Sequence, residues 1–277
     1  MPIVIRPESE FTKILKTNLR SRYKDRKKDR IGLAPIHVSD ILPSSCIRKQ
    51  YYSRVFPEED PITDESIHHF VRGESSEIAI TQLANIGVAQ ADLQMDGIVA
   101  HPDIMDNTDG RRIIIELKDT VTGNRLDINA YTFRSYLRQL LYYLVMTGIE
   151  NGIISIRYNI KELTLIKRDD TGEYYFRPKN ASPPRIESWS VNLPNDDITR
   201  EILRNEMVLR KNILTSALKD HDVTILPRVT EPLKSTKCPI CPFYRRCYDD
   251  MENERALDIA EQTDILDIRG TVDFRPF

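Results

Sequence analysis

The amino-acid sequence predicts a mixed α/β fold, a central sheet flanked by helices. Residues 111–120, RRIIIELKDT, carry an apolar run that makes a strong strand. Residues 130–147, AYTFRSYLRQLLYYLVMT, place Phe133, Leu137, Leu140, Leu141, Leu144 and Val145 on one helical stripe, and Gly148 is a stop. Residues 151–160, NGIISIRYNI, are again a strand. A strand, a helix and a second strand in this order make a parallel pair joined by a right-handed crossover.

The remaining elements follow along the chain. Residues 22–30, RYKDRKKDR, hold six basic and two acidic side chains and read as a solvated helix or loop. Residues 64–87 form a helix with Ile67, Phe70, Val71, Ile78 and Leu83 at roughly helical spacing, interrupted near Gly73. Residues 88–105 make two strands that break at Asp96-Gly97, and NTDG at 107–110 is a turn. Residues 162–169 are a strand, 174–185 a loop and 186–193 a strand. Residues 195–219 form a helix with an acidic start and a basic end, as the helix dipole prefers. The whole chain, 1–277, is expected to form one domain. Residues 1–63 are its N-terminal segment, 64–225 its core and 226–277 its C-terminal segment.

The 277 residues carry 40 basic and 42 acidic side chains, a net charge of −2. A nucleic-acid partner would therefore need positive charge gathered into a patch. No apolar run approaches the roughly 18 residues of a membrane span. The opening MPIVIRPESEF lacks the basic-then-apolar layout of a signal peptide, so a cytoplasmic location is expected.

The chain has four cysteines, and KCPICPFYRRC gathers Cys238, Cys241 and Cys247 within ten positions. In a reducing compartment such a grouping indicates metal ligands rather than disulfides. Cys46, in LPSSCIRKQYY, is then the fourth ligand. One lone cysteine and a C-x2-C-x5-C fit a four-thiolate iron–sulfur cluster better than two short-spaced couples would, with zinc as the rival. The expected role is a clamp between the two chain segments.

The strand at 113–119 carries the chemistry. Ile113, Ile115 and Leu117 share one face, while Ile114, Glu116 and Lys118 share the other. Asp103 precedes Glu116 by thirteen positions, across the turn at 107–110. A hairpin closed there brings Asp103 opposite or diagonal to the Ile114–Glu116 region. Two neighbouring carboxylates need a proton or a cation between them, and hard oxygen ligands suit Mg2+ or Mn2+. With Lys118 beside them, this is equipment for metal-assisted phosphodiester hydrolysis.

Pro102-Asp103 followed by Glu116-x-Lys118 resembles the PD-(D/E)xK nuclease motif. Gln139 and Tyr143, four apart on the next helix, resemble the Gln-x3-Tyr signature of its RecB-like branch. With the cysteines, the chain is similar to the iron–sulfur members of that branch, above all the CRISPR-associated adaptation exonucleases. The resemblance implies a restriction-endonuclease-like fold of the RecB/lambda-exonuclease type, with its N- and C-terminal segments joined at a 4Fe-4S cluster. It implies a metal-dependent DNA exonuclease acting on single-stranded or frayed ends in CRISPR spacer acquisition. The alternatives are a repair nuclease working with a helicase and a DNA-end-binding partner of the CRISPR integrase. Asp103, Glu116, Lys118, Gln139 and Tyr143 would be catalytic. Glu77, Asp103, Glu116 and the Leu117 carbonyl would hold Mg2+ or Mn2+. Glu77 stands where relatives have a histidine, and His68 and His69 are rivals read as exposed helix residues. Arg134, Arg138, Lys27 and Lys28 would contact DNA. Tyr142 and Trp189 read as core. The implied partners are DNA, the CRISPR integrase and a second copy of the chain.

Overall fold

The structure, a computed structural model, describes residues 9–84, 86–89, 91–107, 111–120, 125–159, 163–178, 186–195, 198–253 and 275–276. The central sheet is mixed. Its strands are β2 (Val88–Ala89), β5 (Ile104–Asp106), β6 (Ile113–Thr120), β7 (Asn151–Tyr158), β10 (Ile186–Asn192) and β11 (Arg275–Pro276), in the spatial order β11-β10-β7-β6-β5-β2. Among the described strands of this sheet only β6 and β7 run parallel, and helix α5 (Tyr131–Thr147) connects them, as the sequence predicts. Most of the turn expected at 107–110 lies outside the described residues, yet the hairpin it joins is present: β5 pairs antiparallel with β6, Ile104 facing Ile115.

The apolar stripe of α5 seats it on the sheet. Phe133, Leu137, Leu140, Leu141 and Leu144 are buried. Gly152 on β7 admits the helix closely, because a Cβ there would stand 2.9 Å from the Leu140 methyls. Gly148, at φ 69°, ends the helix and donates its N–H to the Leu144 carbonyl. Trp189 packs edge-on against Phe133, and Tyr142 is fully buried, so both belong to the core. Helix α6 (Ile198–Asp220) packs beside α5, and its Arg210 donates to the carbonyls of Ile41 and Leu42.

A second sheet joins β1 (Ile36–His37), β4 (Ile98–Ala100) and β3 (Leu93–Met95). The break expected at Asp96-Gly97 is a tight turn with positive φ at both residues, 51° and 77°, the backbone that a two-residue hairpin needs. Helix α1 (Ser9–Lys28) lies along α4 (Asp64–Ala84), with Tyr23 against Phe70 and Lys16 and Arg20 on Asp64. The apolar stripe expected on α4 is only partly realised. Ile67 faces inward but Ile78 and Leu83 are exposed, because a polar anchor, Ser76 on Asp119 of β6, fastens the middle of the helix instead. The segment 174–185, expected to be a loop, begins with strand β9 (Tyr174–Pro178), which pairs with β8 (Leu163–Lys167) as a separate two-stranded hairpin. No helix among the described residues is long and apolar enough to cross a membrane.

The chain's N- and C-terminal segments meet, but not as expected. Helix α3 (Ile47–Val55) supplies Arg48, fully buried, which donates to the carbonyls of Leu226 and Pro227 at 3.0 Å each. Tyr52 stacks on Phe243 and donates its hydroxyl to Asp250 of helix α8 (Tyr244–Asn253). Arg246 pairs with Glu59 across the same seam. The join is thus an arginine, a pair of stacked rings and an ion pair.

Candidate functional site

Asp103 enters the site at the start of β5. One step beyond the Ile104–Ile115 pair, the register of the hairpin brings position 103 beside 116. The Asp103 carboxylate accepts the Leu117 N–H at 2.7 Å. Glu116 is fully buried and accepts a bond from the Lys118 ammonium through one oxygen, while its other oxygen, Oε2, meets no protein donor. Lys118 keeps 20% of its side chain exposed and lies 5.3 Å from the centre of the Tyr136 ring. The face of β6 that carries Glu116 and Lys118 thus looks toward α5.

Burial decides the electrostatics. It pushes the Glu116 carboxyl up to about 8, against the pull of Lys118, and the Asp103 and Glu77 carboxylates push the same way. Burial also raises Asp103, opposed by Lys118 and the Leu117 amide. Lys118 loses some basicity to burial, but Glu116 and Asp103 more than restore it, so its pKa lies above the ordinary value. The strand thus presents an ammonium held charged beside a buried carboxyl whose ionisation burial disfavours.

Two clefts flank these residues and share Glu77 and Asp103 as a common wall. The smaller, of 250 Å3, is also lined by Arg72, Gly73, Leu117 and Lys118. The larger, of 450 Å3, adds Gln139 and Tyr143 from α5, with Arg26, Arg30, His37 and His101. Gln139 donates to the Tyr143 hydroxyl at 2.8 Å, as their spacing on one helix face allows. His68 and His69 are exposed on α4 and line neither cleft.

Three of the four basic residues expected at DNA carry a carboxylate partner. Arg138 is buried against Glu206 at 2.9 Å. Lys27 is held by Asp60 and Lys28 by Asp25. Arg134 is half-buried near the start of α5. Arg26, 5.1 Å from the centre of the Phe70 ring, and Arg30, paired with Asp40 at 3.0 Å, line the larger cleft from the same basic run. Sequence reasoning also missed Asp119, one position past Lys118. Its carboxylate takes Arg157 (2.6 and 2.9 Å), Ser76 and Asn159, which ties α4, β6 and β7 together. A carboxylate ending an ExK strand opposite an arginine on the next strand was the available signal.

The metal expectations are corrected. Among the described residues, no group of three or more His, Cys, Asp or Glu side chains stands together as a metal ion would need. This overturns the Mg2+ or Mn2+ site of Glu77, Asp103, Glu116 and the Leu117 carbonyl, since Glu116 is bonded to Lys118 and Asp103 to the Leu117 amide. It equally overturns the 4Fe-4S cluster, or zinc, at Cys46, Cys238, Cys241 and Cys247. These cysteines line one cavity, of 780 Å3, in which burial, reinforced by Cys238 and Cys241, pushes the Cys247 thiol up to about 11. The fold keeps its mixed α/β core without cluster-joined ends. The resemblance to iron–sulfur CRISPR-associated exonucleases loses the feature that singled them out.

No protein-family model matches the chain, and no curated protein does. Among solved structures, it is similar to "SSO0001" with 18% identity and a TM-score of 0.47, over 87% of this chain and 98% of that one. It is also similar to LHK-Exo, described as an alkaline exonuclease from Laribacter hongkongensis, with 12% identity and a TM-score of 0.38 over 72% and 95%. The structure of LHK-Exo in complex with dAMP gives 13% identity and a TM-score of 0.37, over 69% and 92%.

Proposed function

We propose that this chain is a nuclease that hydrolyses phosphodiester bonds of DNA at Asp103, Glu116 and Lys118. The observation that carries the reading is the meeting of these three at one point, through the β5–β6 register and the Leu117 amide bond. Lys118 projects a permanent cation toward the cleft, where it would stabilise the charge that develops on a phosphoryl oxygen during attack. Asp103, on the wall between the clefts, would orient the attacking water and take its proton, which its raised pKa favours. Gln139 and Tyr143 would position the substrate's phosphodiester backbone, and Arg26 and Arg30 would hold neighbouring phosphates.

The finer reading is an exonuclease working at single-stranded or frayed ends. The order of the motifs along the chain supports it. An end-labelled single strand and a covalently closed single-stranded circle test both levels. Each is assayed in parallel with an added divalent cation and with a chelator. Digestion of the linear strand by the wild type, and its loss in Lys118→Met, is the expected result. No digestion under either condition sinks the nuclease reading, and equal digestion of the circle sinks only the exonuclease.

A further inference from the structure

The β8–β9 hairpin belongs to neither cleft and to neither of the larger sheets. It is inserted between β7 and β10, and it leaves the end of β7 where Tyr158 pairs with Thr120, two residues past Lys118 on β6. A two-stranded hairpin is marginal by itself in water, and this one exposes large side chains on both faces. Lys167 faces Tyr174 across the strands, and Ile166 faces Tyr175. Cross-strand partners share a face, so the two tyrosines lie on opposite faces. Tyr174 is 65% exposed, Tyr175 40% and Leu165 54%. The Arg168 guanidinium lies 5.4 Å from the centre of the Tyr175 ring, and Arg177 stands on the Tyr175 face opposite Thr164. The acidic residues Asp169, Asp170 and Glu173 lie at the turn end of the hairpin, where Glu173 stands opposite Arg168 and its backbone carbonyl accepts the Arg168 N–H at 2.7 Å.

Each face of the hairpin therefore pairs an exposed phenol ring with at least one cation, and the negative charge is confined to the tip. A ring offers a stacking surface to any unpaired base, and a cation beside it meets the phosphate that the base carries. Duplex DNA hides its base faces and would gain only the charge contacts.

We infer that the β8–β9 hairpin is a docking surface for single-stranded DNA, with Tyr174 and Tyr175 stacking on bases and Lys167, Arg168 and Arg177 contacting phosphates. This rests on the nuclease reading for its purpose, which is to hold the strand that leads into the Lys118 end of the sheet, and deepens it to a single-stranded substrate.

The test measures binding and cleavage separately. Affinity for a fluorescent phosphorothioate 20-mer, which resists hydrolysis, is compared with that for a duplex of the same sequence. Tyr174→Ala with Tyr175→Ala should weaken single-strand binding by about tenfold or more and leave duplex binding unchanged. Tyr174→Phe with Tyr175→Phe, which keeps both rings, should restore it. Lys167→Gln, Arg168→Gln and Arg177→Gln together should lower the salt dependence of log K by about 2. Unchanged single-strand affinity in the alanine variant overturns the inference, and so does equal loss in the phenylalanine variant. Hairpin-dependent binding by a protein that cleaves no DNA would leave the inference standing and sink the nuclease reading. Cleavage by a protein whose binding ignores the hairpin would do the reverse.

Discussion

The Asp103 carboxylate and the Leu117 backbone amide are hydrogen-bonded at 2.7 Å, although fourteen positions separate them in the chain. This bond continues the β5–β6 ladder by one side-chain contact beyond its last paired residue. It sets the distance from Asp103 to both neighbours of Leu117, the buried Glu116 and the cleft-facing Lys118. Asp103→Ala should lower DNA cleavage by about a hundredfold or more, the usual scale for a lost proton-transfer group. Asp103→Asn keeps an acceptor for the amide but cannot take a proton. It should lose as much activity while retaining more stability than the alanine variant. Kinetics and urea unfolding on the two variants check both halves. Wild-type turnover in Asp103→Asn would remove the proton-accepting role.

Glu116 and Lys118 form a buried pair in which removing one partner is worse than removing both. Glu116→Ala strands the ammonium and should cost on the order of 3 kcal/mol. Glu116→Gln with Lys118→Met should cost less than Glu116→Ala alone. The comparison is made by urea unfolding, and a double variant that is the less stable would show that the pair stabilises the fold outright.

The pH dependence of stability has a definite sign at Glu116. Its folded pKa of about 8 lies above the ordinary 4.5, so the folded state binds the proton more tightly. The stability this confers is complete below about 4.5 and is lost as pH rises through 8. It amounts to roughly a few kcal/mol for a group so buried. Unfolding measured from pH 5 to 9 should show this alkaline loss in the wild type and a flatter profile in the Glu116→Gln, Lys118→Met double variant.

His37 contributes with the opposite sign. Burial, aided by the Arg30 charge, lowers its folded pKa to about 4 from 6.5, so the unfolded chain binds the proton more tightly. The stability held by neutral His37 is present above pH 6.5 and is lost as pH falls through 4. His37→Gln should flatten the acid limb between those values, and an acid limb unchanged in that variant would place the titration elsewhere.

The chemistry-bearing strand was legible because period and composition agree along it. IIIELKD is apolar enough to be central, and its two polar residues fall two apart on one face. Helix α5 was legible for the same reason, down to the glycine that ends it. The register of Asp103 was foreseen to within a step, since a hairpin leaves few alternatives. The cation partners were not legible. Nothing local tells whether Arg138 meets a phosphate or Glu206, because that choice depends on α6, more than sixty residues away. The cysteines show the converse. Their spacing is a strong local pattern, but spacing does not specify how tightly four side chains converge once α3, the Cys238 turn and α8 have packed by other contacts. Strand β9 was hidden by the prolines that follow it, although Tyr174, Tyr175 and Phe176 are good strand formers.

Those other contacts lead to the last prediction. Arg48 joins the two ends of the chain, with its Nε on the Pro227 carbonyl and another guanidinium nitrogen on the Leu226 carbonyl. The arginine is fully buried, its bond to Leu226 is buried and that to Pro227 half-buried, and both are charge-assisted. Arg48→Met keeps much of the stem's packing but leaves a buried and a half-buried carbonyl without these donors. The expected loss is on the order of 3 kcal/mol, at about 1.5 kcal/mol per orphaned acceptor. Tyr52→Phe removes only the hydroxyl bond to Asp250 and keeps the ring on Phe243, so it should cost about 1 kcal/mol. Arg48→Lys restores the charge but not the fork, and should recover only part of the loss. Thermal and urea unfolding of the three variants rank them. If Arg48→Met proves milder than Tyr52→Phe, the arginine is not what holds the two ends together.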